Sequence, residues 1–111
     1  MSEDGLQHFG QVDMRLGRIV AVDDFPEARK PAFKLTIDFG ELGIRRSSAQ
    51  ITVYYTKEEL VGRLVIAVVS LPPRRIAGFK SEVLVLGVPD AEGNVILLEP
   101  ERDAPLGGRV F

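Results

Sequence analysis

The run Phe33-Lys34-Leu35-Thr36-Ile37-Asp38-Phe39 alternates apolar and polar residues without a break. A period of two places successive side chains on opposite faces, so this segment predicts a strand with one face in a core and the other in solvent. The segment Arg15 to Val22 alternates more loosely and reads as a second half-buried strand. Glu41-Leu42-Gly43 forms a turn, after which Ile44 to Ile51 continues as a third, more polar strand. One short stretch, Thr56 to Gly62, reads as helix instead. Thr56 is placed as N-cap, Glu58 and Glu59 sit in the first turn, and Gly62 stops it. A helix this short is not stable alone, so it is expected to pack on the sheet through Leu60 and Val61. Leu64 to Leu71 and Val83 to Leu86 are continuous apolar runs, as expected of strands covered on both sides. The turn Asp90 to Asn94 leads into Val95-Ile96-Leu97-Leu98.

Five or more short strands with one helix after the third describe an all-β chain of the OB-fold type. This is a five-stranded Greek-key barrel with a short helix between strands 3 and 4 and with N- and C-terminal extensions. An immunoglobulin-like sandwich is the alternative, and the position of the helix favours the barrel. At 111 residues the chain reads as one domain, 1–111, with residues 1–8 expected as a mobile tail.

Net charge is −2, but the charge is segregated. Residues 1–28 and residues 81–111 each hold two Lys/Arg against six Asp/Glu, whereas residues 29–80 hold ten against four. A fold that gathers Arg29, Lys30, Lys34, Arg45, Arg46, Arg74, Arg75 and Lys80 on one face would attract anions despite the overall acidity. The segment Leu71 to Glu82 concentrates this character: Pro72 and Pro73 end a strand and stiffen the connection, Arg74, Arg75 and Lys80 project from it, and Gly78 permits a turn.

Several function classes receive no support. The chain has no cysteine, which removes disulfides and thiolate metal sites, and no metal or cofactor is expected. Its one histidine, His8, lies in the expected tail. Asp23-Asp24 belongs to a turn, and Glu58-Glu59 fits the first turn of a helix, so neither pair requires a catalytic role. No phosphate loop or nucleophile elbow is present, and an enzyme is not expected. The acidic start, Met1-Ser2-Glu3-Asp4, lacks the basic and apolar regions of a signal peptide, and the longest apolar run, Leu64 to Val69, is far short of a membrane span. The expectation is a cytoplasmic protein without membrane insertion.

Five blocks in fixed order carry a family resemblance over nearly the whole chain: Val12-Asp13-Met14-Arg15-Leu16-Gly17-Arg18-Ile19-Val20, Phe25-Pro26-Glu27-Ala28, Ile37-Asp38-Phe39-Gly40, Leu60-Val61-Gly62-Arg63 and Pro73-Arg74-Arg75-Ile76-Ala77-Gly78-Phe79-Lys80-Ser81. The array resembles the tRNA-binding domain appended to some methionyl- and phenylalanyl-tRNA synthetases. Arg46-Ser47-Ser48-Ala49-Gln50-Ile51, the full spelling Pro72 to Glu82 and the chain length are more similar to the stand-alone, export-related CsaA chaperones of that group. The resemblance implies an OB-fold homodimer that binds unfolded or preprotein segments in protein export and is a partner of the secretion machinery. It implies tRNA binding as a parallel capacity.

Two sets of site residues follow. For polypeptide, Phe39, Ile76 and Phe79 are expected to line an apolar floor, Ser48 and Gln50 to bond the peptide backbone, and Arg74, Arg75 and Lys80 to form a cationic rim. For RNA, Arg29, Lys30, Arg45, Arg46, Arg74 and Arg75 are expected to hold phosphates. Stacking groups for bases are scarce, since there is no tryptophan and Tyr54-Tyr55 is expected to pack beside the helix. Polypeptide is therefore placed first and RNA second. The apolar ends, Leu6 and Phe9 with Leu97, Leu98, Leu106, Val110 and Phe111, are expected to seal the dimer.

Overall fold

The computed structural model describes residues 3–111. Strand β1 (Met14–Asp24), strand β2 (Phe33–Asp38) and strand β3 (Ile44–Ala49) form an antiparallel meander. The alternation in β2 acts as its period dictates: Phe33, Leu35 and Ile37 are buried, while Lys34, Thr36 and Asp38 are half-exposed. Strand β4 (Leu64–Val68) pairs with the first half of β1, and strand β7 (Leu84–Val85) pairs with β4, so the sheet order is β3-β2-β1-β4-β7. β1 thus serves two partners, and a register shift between Ile19 and Ala21 bends it from one to the other.

The two edges of this sheet meet along a polar seam. Glu82 N donates to Arg46 O at 2.7 Å, and Arg46 N donates to a Glu82 carboxylate oxygen at 3.1 Å. Ser48 N donates to Ser81 Oγ at 3.0 Å, and the buried Ser47 hydroxyl donates to Val83 O at 2.9 Å. The result is a nearly closed five-stranded antiparallel barrel of the OB type, and the sandwich alternative falls. Its core is built from Ile19, Leu35, Ile37, Phe39, Leu60 and Val65, all fully buried.

Helix α2 (Lys57–Leu60) lies between β3 and β4 with a capping box: Thr56 Oγ1 accepts from Glu59 N, and the Glu59 carboxylate accepts from Thr56 N. Leu60 plugs the barrel as expected. Val61 does not, because the backbone turns extended at this C-cap and leaves it exposed. Two hairpins complete the strands: β5 (Arg74–Ile76) with β6 (Phe79–Ser81), and β8 (Gly87–Pro89) with β9 (Val95–Leu97). The strand expected over Leu64 to Leu71 stops at Val68, since Val69 N turns to Asp13 O and Ser70 Oγ accepts from Asp13 N.

At the N-terminus, where residues 1–8 were expected as a tail, helix α1 runs over Glu3–Gln11; Met1 and Ser2 lie outside the described residues. The C-terminal segment lies along β1, with Gly107 N bonded to Leu16 O, Leu16 N to Gly108 O and Val110 N to Met14 O. Gly107 has φ +87°, and a Cβ there would stand 2.6 Å from Phe39 O, so only glycine permits this approach. Among the described residues no helix is long and apolar enough to cross a membrane.

Candidate functional site

Two connections fold over the outer face of β2 and β3: the loop of residues 25–32 between β1 and β2, and the β5–β6 hairpin between β4 and β7. They meet through Phe25 and Phe79, whose ring centroids are 5.5 Å apart in an edge-to-face arrangement. With buried Ala32 and half-buried Ala28 and Ile76, the rings form an apolar cluster separate from the barrel core. The outer face of β2 and β3 contributes cations to it: Lys34 Nζ lies 4.8 Å from the Phe25 centroid, and the Arg46 guanidinium lies 4.8 Å from that of Phe79. Edge-to-face pairs and cations over rings each contribute about 0.5–1.5 kcal/mol beyond area burial, enough to hold two loops that would otherwise move independently.

This cluster corrects the expected floor. Phe79 is only 8% exposed and acts as a strut between loops, while Phe39 is fully buried in the barrel core, so neither ring is presented to a ligand. Phe39 takes that place because it extends the inward-facing positions of β2. In the sequence Phe25 figured only in the resemblance block Phe25-Pro26-Glu27-Ala28 and was given no place in the site. An aromatic side chain inside an otherwise polar loop was the available signal.

An open groove runs beside the cluster. One part, about 120 Å³, is lined by Leu71, Pro72, Val83 and Leu84 together with Ser48, Arg74, Ile76, Ser81 and Glu82. A second part, about 270 Å³, is lined by Arg29, Lys30, Ala28, Ala32 and Gln50 and shares Ser48, Arg74 and Ile76 with the first. The two parts adjoin at Ser48, Arg74 and Ile76, which line both; Ile76, Val83 and Leu84 supply apolar surface, and polar groups stand beside them. Of the expected peptide-binding set, Ser48, Gln50, Arg74 and Ile76 therefore meet. Arg29, Lys30 and Arg74 of the RNA set meet there as well.

Other expected members do not. Arg75 and Lys80 are directly opposed in the hairpin, one position out of phase with Arg74 and Ile76, so alternation turns them to its far side. Arg45 lies on the alternate side of β3 from Arg46 and Ser48. Arg46 is engaged by Phe79 and by Asp23, whose carboxylate is 3.5 Å away.

The charge pattern is selective. Arg15, Arg18, Arg46, Lys57, Arg63, Arg102 and Arg109 each have a carboxylate partner. Among the described residues, the cations without one are Arg29, Lys30, Lys34, Arg45, Arg74, Arg75 and Lys80. All seven fall in the basic middle of the chain, and all but Arg45 lie on or next to the two loops.

The groups with displaced titration stand elsewhere and have structural causes. The hydrogen bond from Arg15 holds the Asp13 carboxyl below its ordinary value. The bond to Asp24 raises the Lys57 ammonium, and the phenol of Tyr54 donating to Asp90 lowers that carboxyl.

Comparison with known proteins follows the same geometry. A family model described as "Putative tRNA binding domain" matches residues 14–109. The chain belongs to this tRNA-binding domain family. Among solved structures of similar fold, the chaperone CsaA from Bacillus anthracis is 50% identical with a TM-score of 0.90, the match covering 100% of this chain and 99% of that one. The CsaA chaperone protein from Picrophilus torridus is 48% identical with a TM-score of 0.88, covering 96% and 97%. The methionine–tRNA ligase of Methanocaldococcus jannaschii is 34% identical over 110 residues, covering 99% of this chain but 17% of the ligase. The chain thus spans less than a fifth of the length of that curated relative, but nearly the whole of each CsaA chain.

Of the residues expected at a dimer contact, Leu6, Phe9, Leu98 and Phe111 are exposed, and Leu106 and Val110 are half-buried. Leu97 is a correction: it is 6% exposed and belongs to the barrel core, because β9 turns it inward.

Proposed function

We propose that the protein is a cytoplasmic chaperone that holds unfolded or preprotein segments in the cleft between the 25–32 loop and the β5–β6 hairpin, in the service of protein export. The observation that carries this reading is the pair of adjoining hollows that share Ser48, Arg74 and Ile76. Together they present apolar surface, with the Ser48 hydroxyl, the Gln50 amide and the Arg74 guanidinium beside it. An extended polypeptide offers side chains for such a surface and backbone groups for such polar partners. The similarity to CsaA chaperones over the full chain supports it. Delivery to the secretion machinery is part of the same proposal.

The working unit is proposed to be a homodimer. Leu6 and Phe9 lie three residues apart, on one face of α1, and remain uncovered within the chain, as do Leu98 and Phe111. Sedimentation at micromolar concentration is expected to give the dimer mass, and a monomer would contradict this.

The test of the cleft is binding of a labelled, permanently unfolded polypeptide to the wild-type chain and to Arg74→Glu. Loss of a charged lip group and reversal of its sign are expected to weaken binding at least ten-fold, with folding intact because the side chain is exposed. Equal affinity for the two proteins would defeat the proposal.

A second reading, tRNA binding, is favoured by one specific observation: the seven cations that lack carboxylate partners among the described residues. Anionic ligands would supply the missing counter-charges, and the family to which the chain belongs supports that class.

A further inference from the structure

The edge of β3 that faces away from β2 is closed for only part of its length. Arg46 and Ser48 are in phase along it: the N–H and carbonyl of Arg46 are both bonded to Glu82, and Ser48 N donates to Ser81 Oγ. Gln50 is the next residue in phase, and neither its backbone N–H nor its carbonyl has a hydrogen-bond partner among the described residues. The segment that closes the edge has left it by this point, since Lys80 pairs with Arg75 inside its own hairpin. An unpaired strand edge is a template for another extended chain.

Gln50 also stands where two hollows meet. With Lys30 it lines both the second hollow of the cleft and a third one, of about 280 Å³, beyond it. Thr52 and Val53 line the third hollow from the chain that follows β3, and Asn94 and Val95 line it from the β8–β9 hairpin. These two segments are tied together. The Tyr54 hydroxyl donates to the Asp90 carboxylate, and Leu97 N donates to the Tyr55 hydroxyl at 3.0 Å. Asp90 in turn fixes the hairpin turn, its other carboxylate oxygen accepting from Glu92 N and Asn94 N, each at 2.9 Å. The hollow is therefore held open before any ligand arrives, which lowers the ordering cost of binding. Val53 is 65% exposed, a large apolar side chain left uncovered three residues from the open edge.

The occupant has to offer a backbone donor and acceptor to Gln50 and an apolar side chain to Val53. That is the chemistry of a polypeptide in extended form, whose side chains alternate about its hydrogen-bonding groups. We propose that the third hollow is a further polypeptide subsite, in which the segment held by the cleft pairs its backbone with Gln50 and continues between residues 52–53 and 94–95. The proposal rests on the reading of the cleft as a polypeptide site and adds the class of segment it selects. A straight path over one face of a domain 44 by 31 Å across takes about 9–13 residues at about 3.3 Å each, so long unstructured segments are favoured over short peptides.

The test uses the full chain and a nested set of labelled, uncharged peptides of leucine, serine and threonine, about 6, 12 and 18 residues long. The 12-residue peptide is expected to bind at least about ten-fold more tightly than the 6-residue one, and the 18-residue peptide within about two-fold of the 12-residue one. Val53→Asp and Val53→Lys are each expected to weaken the 12-residue peptide about five-fold, whatever the sign of the charge, and to leave the 6-residue peptide within about two-fold. Their thermal midpoints are expected to match that of the wild type, because the side chain is exposed. The Gln50 amide is expected to exchange about ten-fold more slowly with the 12-residue peptide bound. Equal affinity for the 6- and 12-residue peptides, no effect of either Val53 variant on the 12-residue peptide, or an unchanged Gln50 amide at saturation would each overturn the subsite. If any of these occurs while Arg74→Glu still abolishes binding, the cleft stands and the third hollow alone is lost; if no peptide binds the wild type, both readings fall.

Discussion

Replacing Phe79 by alanine measures how firmly the two loops are clasped. Truncating a buried phenylalanine costs about 3–5 kcal/mol through lost burial and the cavity left behind. Phe79 sits in a small cluster under loops that can partly close the gap, so about 3 kcal/mol is expected, toward the low end of that range. For 111 residues, an unfolding entropy of about 2.1 cal/mol/K per residue converts each kcal/mol into roughly 4 °C, giving a fall in midpoint of about 12 °C. Because Phe25 and Phe79 contact each other, Phe25→Ala and Phe79→Ala should be less than additive, with a coupling of about 1 kcal/mol. Calorimetry and urea unfolding at fixed protein concentration supply both numbers. Phe79→Leu, which keeps much of the apolar volume, should retain most of the polypeptide affinity if the ring is a strut. A shift below about 4 °C for Phe79→Ala, or strict additivity, would refute the clasp.

Three further outcomes follow from the barrel itself. Ser47→Ala leaves the carbonyl of Val83 without its buried donor and should destabilise by about 1–2 kcal/mol, read by urea unfolding. Thr56→Ala removes the cap of α2 and should cost about 1 kcal/mol, whereas Thr56→Ser should cost only a few tenths. The Asp13 carboxyl has a folded pKa below its ordinary 3.8 because Arg15 donates to it, so the pair stabilises the fold fully above that value. Its contribution is lost as pH falls through the lower folded value, and thermal midpoints of wild type and Asp13→Asn should converge below pH 3.8 after differing at neutrality.

The barrel was legible because its signals are local. Strict alternation fixed β2 and its buried face, and Thr56 with Glu59 marked the start of α2 where a cap was needed. The end of β4 was not legible, because Val69 and Ser70 are drawn off by Asp13, a partner 57 residues from Ser70. Helix α1 was missed because its acidic start and its glycines at 5 and 10 read as a tail, although Leu6 and Phe9, three residues apart, give the segment an amphipathic period. The site was legible in composition and illegible in direction. The segment Leu71 to Glu82 was singled out, yet its cations were assigned to one rim, since the sequence does not announce that a three-residue strand pair sends Arg74 and Arg75 to opposite faces. Phe39 and Phe79 were both expected in a floor because aromatic character does not reveal which ring the core claims. Phe25 could be placed only once the fold had brought it within 5.5 Å of Phe79.

Amide hydrogen exchange of the full chain, with and without the unfolded polypeptide, tests the central claim most directly. Protection is predicted at residues 28–32, 48–50 and 71–76, the backbone that borders the cleft, with the outer strands of the β8–β9 hairpin unchanged. Protection confined to segments away from the cleft, or none at saturating polypeptide, would contradict the account.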